Sequence, residues 1–103
     1  MQQPIHNFSA ILLAYPSVLQ LMPTQFSSHQ FILELAYRYQ DLYVDVLYSY
    51  KDTLHDGVRR PFVHIHRRLA QMLSESPLVT LIGEVQSTDI FTHENRCALW
   101  EKV

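Results

Sequence analysis

Apolar positions recur at intervals of three and four over most of the chain, then give way to a run rich in β-branched residues. The helical period predicts a first helix over about residues 5–15, with Asn7 or Ser9 as cap and Ala10, Ile11, Leu12, Leu13 and Ala14 as body. Pro16 is expected to end or bend it, because proline cannot donate to the helical ladder. Residues 17–22 read as a further short turn, closed by Pro23. Ser27 and Gln30 stand at capping-box spacing. After them Phe31, Ile32, Leu35, Ala36, Tyr39, Leu42, Tyr43, Val46, Leu47 and Tyr50 sustain one helical stripe to about residue 51. A single helix of that length would span about 36 Å, so a kink is expected near Gln40–Asp41. Residues 52–61 read as a loop punctuated by Gly57 and Pro61. Pro61 suits the first position of a helix running to about residue 74.

The period then changes. Residues 78–85 (L-V-T-L-I-G-E-V) predict a strand. Residues 86–95 are polar apart from Ile90 and Phe91, and residues 96–102 (R-C-A-L-W-E-K) can form a second strand. Together they predict a hairpin with a tip of about ten residues. Trp100 is expected to be at least partly buried, with Leu81 and Leu99 in the core. A third short strand is expected at the edge, near Gln25–Phe26.

Charge sharpens the picture at the helix before the hairpin. Between Asp56 and Glu75 lie Arg59, Arg60, Arg67 and Arg68 and no carboxylate. Phe62, Ile65, Leu69, Met72 and Leu73 share one side of this helix; His64, Arg67, Arg68 and Gln71 share the other. Arginine and glutamine can fork onto guanine and adenine edges, while arginines at a helix start can hold phosphates. The same face is also compatible with a solvated surface balanced by nearby carboxylates, or with a protein contact.

Composition bounds the rest. The chain has 103 residues, 48% hydrophobic and 17% charged, which fits one domain over residues 1–103 with a packed core. Its formal net charge is -2, so any nucleic-acid footprint must be local. One cysteine excludes an internal disulfide and fits a reducing compartment. The apolar runs are too short for a membrane span. The expectation is a cytoplasmic protein with no membrane partner.

The order helix, short strand, helix, loop, basic helix, strand, long loop, strand resembles the winged helix-turn-helix domain. The resemblance implies an α+β, mostly helical fold: a three-helix core with a C-terminal β-hairpin. It implies that residues 61–74 form the recognition helix and residues 86–95 the wing. Duplex DNA would then be the partner, with Arg59, Arg60 and Arg96 on phosphates and His64, Arg67, Arg68 and Gln71 at base edges. The middle helix is longer than the family's usual one, and the wing carries Asp89 and Glu94, which repel phosphate.

Other signals point away from catalysis. His64 and His66 would lie about 200° apart on a helix and cannot grip one ion. Cys97, beside Leu99 in a strand, reads as a small buried hydrophobe. No nucleophile elbow, zinc motif or phosphate-binding glycine loop is present. The sequence therefore predicts no enzyme, no cofactor and no metal. Five of the six tyrosines lie between Tyr37 and Tyr50. They can cap the core edge, stack on bases, or form an interface through Tyr37, Tyr43, Tyr48 and Tyr50. That last role implies a homodimer held by the middle helix, or a protein-binding module built on the same fold.

Overall fold

The computed structural model describes residues 8–103. Residues 5–7 of the expected first helix, including the Asn7 cap, lie outside the described residues. Within them the chain forms an α+β domain of helices with a three-stranded and a two-stranded antiparallel sheet. No described helix is long and apolar enough to cross a membrane.

The start of the chain departs from expectation. A single turn, α1 (Ser9–Leu12), precedes α2 (Tyr15–Leu21), and Pro16 sits in the first turn of α2. Proline does not end a helix here; it begins one, where its missing N–H would have had no helical partner anyway. Ser9 is the first helical residue and Phe8 takes the cap position, so Ser9 is not the cap.

β1 (Gln25–Ser27) leads into α3 (Ser28–Arg38) through the expected capping box. The Gln30 N–H donates to Ser27 Oγ at 3.1 Å, and the Ser27 N–H donates to Gln30 Oε1 at 2.7 Å. Ser28, Phe31, Ile32 and Leu35 carry the buried face. The expected kink is a full break at Tyr39, whose backbone leaves the helical region before α4 (Gln40–Ser49) begins. Gln40 satisfies one carbonyl freed by the break, donating from Nε2 to Tyr37 O at 3.0 Å. Two shorter helices pack on one core where a single rod would overrun it.

Residues 52–61 are more ordered than a loop. β2 (Leu54–His55) and β3 (Val58–Arg59) pair as a miniature hairpin around Asp56 and Gly57. Both turn residues have positive φ, 54° and 78°, which suits the Asp-Gly pair. α5 (Pro61–Ser74) follows, with Ile65, Leu69, Met72 and Leu73 buried.

β4 (Val79–Thr88) and β5 (Glu94–Lys102) form the C-terminal hairpin, and the sheet order is β1-β5-β4. The hairpin tip is about half the expected length, because Gln86, Ser87 and Thr88 pair with Arg96, Asn95 and Glu94. Those residues lack hydrophobic alternation, so their pairing left no mark in the pattern. Trp100 is buried, and its indole N–H donates to Ser28 Oγ at 2.8 Å, tying β5 to α3. Leu81 is 58% exposed and is not in the core; Leu99 is half-buried. Leu81 stands on the edge strand β4, just before the bulge between Leu81 and Gly83, and Val79 is the strand's buried anchor. Cys97 is half-buried, not fully enclosed.

Lys102, two residues beyond Trp100 on the same face of β5, ties the end of the sheet to α2. Its ammonium donates to Met22 O at 2.8 Å and Leu19 O at 3.2 Å, the carbonyl end of α2. A cation there satisfies orphan acceptors and opposes the negative pole of the helix. Lys102→Met should therefore cost about 1 kcal/mol in urea denaturation. An unchanged midpoint would show that the contact contributes nothing.

Candidate nucleic-acid interface

α5 is amphipathic in the predicted sense. Its buried stripe faces α3 and α4, and Arg67 and Gln71 lie exposed on the other side, one turn apart. Arg60 occupies the cap position of α5 and is also exposed. Among the described residues, the side chains of Arg60, Arg67 and Gln71 have no hydrogen-bond or ion-pair partner. These three form the open part of the basic stripe.

The remaining residues of the expected site are engaged. Arg59 pairs with Asp52 at 3.1 Å, and Asp52 also holds Lys51. Arg96 pairs with Glu84 across the hairpin at 3.3 Å. Arg68 is half-buried and lies over the Phe8 ring, 5.8 Å from its centre. His64 Nε2 lies 3.0 Å from Leu54 O and must donate, because a carbonyl only accepts. That contact fastens the β2–β3 hairpin to the start of α5, so His64 is spent on structure at its Nε2 end.

The hairpin tip, residues 89–93, is closed by Asp89. Its Oδ1 accepts from the N–H groups of Phe91 at 2.9 Å and His93 at 3.0 Å. Slight desolvation raises the Asp89 pKa, but the backbone donors of His93 and Phe91 outweigh it and hold the carboxyl below its ordinary range. The tip leans on the helices. Phe91 meets Phe62 edge-on at 4.7 Å and lies against His66, while Ile90 packs on the core.

Beneath the tip lies a link that the sequence did not reveal. Tyr43 is buried, and its hydroxyl is 2.6 Å from His66 Nε2. Burial raises the Tyr43 phenol and lowers the His66 imidazole to about 4. The phenol therefore stays protonated as donor and the imidazole stays neutral as acceptor. His66 borders the core. Tyr43 belongs to the core too, which removes it from the predicted interface: its place on the stripe with Val46 had marked it for burial. Tyr50 is half-buried against Phe8, at 5.8 Å between ring centres. Tyr37 and Tyr48 are each 68% exposed. No cluster of three or more His, Cys, Asp or Glu suited to a metal ion occurs among the described residues.

Comparison with known protein families, curated proteins and solved structures finds no match to this chain.

Proposed function

We propose that the chain is a small DNA-binding domain that presents α5 to the major groove of duplex DNA in the manner of a winged helix. The open stripe of Arg60, Arg67 and Gln71 carries this reading. The element order supports it: the basic helix immediately precedes a two-stranded hairpin, and the short strand β1 pairs with that hairpin's second strand.

In this reading Arg60 holds a phosphate at the start of α5. Arg67 forks onto a guanine, and Gln71, one turn on, reaches an adenine edge. Arg59 and Arg96 join as secondary phosphate contacts. Their present pairs are exposed ones, worth about 0–1 kcal/mol, so phosphate oxygens can displace the carboxylates cheaply. The acidic tip stays off the backbone.

Titrating duplex of random sequence at about 50 and 200 mM salt tests the reading. Three phosphate contacts give a roughly 40-fold loss of affinity over that range. Absence of binding at the lower salt would end the proposal. On a site selected from random duplex, Arg67→Ala should cost about 1–3 kcal/mol and far less on unselected DNA. Arg67→Lys should not restore the loss, because lysine cannot make the two parallel bonds. Arg60→Ala should weaken all sequences alike and reduce the salt slope by about one.

A further inference from the structure

A second surface shares no residue with the basic stripe. Leu33 and Tyr37 stand one turn apart on α3; Val44 and Tyr48 stand one turn apart on α4. All four are at least half exposed, from 51% for Leu33 to 68% for the tyrosines. Leu33, Ala36, Tyr37, Val44 and Ile90 line a depression of about 340 Å³ between the two helices and the hairpin tip. Leu33 also lines a second depression, of about 270 Å³, running toward Leu21 and Pro23. The two form a track along α3 that is mainly apolar in the first depression and mixed in the second, where Gln30 and Glu34 also line it.

The charges beside this track are unbalanced. Asp41 and Asp45 are exposed on the α4 flank, next to Val44 and Tyr48, and have no cationic partner among the described residues. Arg38 is already held by Glu34 at 2.7 Å. An isologous pair of copies across this face would bring further carboxylates and no unpaired cation of the face itself. A cationic partner removes the imbalance.

We propose that the α3–α4 face docks an amphipathic helix of another protein, with large apolar side chains in the track and lysine or arginine opposite Asp41 and Asp45. The proposal does not rest on DNA binding.

The test uses a synthetic leucine–lysine amphipathic helix of about four turns as probe, added to isotopically labelled full chain and followed by amide NMR. Shifts should concentrate at Leu33, Tyr37, Val44 and Ile90. The same peptide with glutamate for lysine should produce none. Asp41→Asn with Asp45→Asn should weaken binding about three- to ten-fold, and Val44→Lys, at an exposed position, should abolish it without changing the circular dichroism. Shifts centred elsewhere, equal binding of the glutamate peptide, or concentration-dependent shifts at this face in the free protein would overturn the proposal. The last outcome would assign the face to a second copy of the chain.

Discussion

Leu69→Ala should lower the unfolding free energy by about 3–5 kcal/mol, read from urea denaturation at neutral pH. Leu69 is fully buried in the middle of α5, and its own carbonyl accepts the buried Tyr15 hydroxyl at 2.7 Å. Deleting its isobutyl group removes apolar contact and leaves a cavity beneath α5, where the close-packed surroundings can collapse only in part. A small domain of this kind has about 5–15 kcal/mol in all, so the variant should sit close to its folding threshold. Leu81→Ala is the matched control. The chemical change is the same, but Leu81 is exposed on the edge strand, and the cost should stay within about 1 kcal/mol. Equal costs at both positions would mean that the core does not centre on α5.

The second large effect is a loss of stability in mild acid. An unfolded histidine takes up its proton near 6.5; burial lowers the His66 value to about 4, against a weaker opposing pull from Asp89. Between those values the unfolded chain binds more protons than the folded one, so stability rises with pH across the window. The contribution of His66 is complete above about 6.5 and gone below about 4, amounting to about 3 kcal/mol. Protonation reverses the Tyr43 hydrogen bond, the imidazolium now donating to the phenol oxygen, and places a charge on a ring packed between Phe62 and Phe91. His66→Gln keeps a hydrogen-bond acceptor and removes the titration. Its urea midpoints should vary much less between pH 6.5 and 4.5 than those of the wild type. A variant that tracks the wild type through that interval would rule out His66 as the source.

The sequence made some of this architecture legible and left some hidden, for local reasons. Ser27 and Gln30 announced the start of α3, and Pro61 the start of α5, because caps and N-terminal prolines act through neighbouring backbone groups. The hairpin was visible where β-branched residues filled it and invisible over its polar end, where backbone pairing and Asp89 supply the order. The break at Tyr39 has no proline or glycine beside it; the turn back onto the core is a tertiary demand that periodicity cannot express. The basic face of α5 was readable as a stripe, but which members stay open was not. Arg59, Arg68, His64 and Arg96 are engaged by Asp52, Phe8, the Leu54 carbonyl and Glu84, and two of these four pairings join different elements. The Asp-Gly pair at 56–57, by contrast, is a hairpin signal legible in the sequence itself.

The central place of β5 in the sheet bears on how the chain folds. Among the described residues β1 has no strand neighbour but β5, with Gln25 opposite Glu101 across a separation of 76 residues. Helices and the local β4–β5 hairpin can form early, on microsecond timescales. The three-stranded sheet cannot, because joining β1 requires closing about three-quarters of the chain into one loop before any ladder hydrogen bond compensates the lost entropy. The β1–β5 ladder is accordingly expected to be the late event in refolding, with β1 held waiting at the foot of an already formed α3.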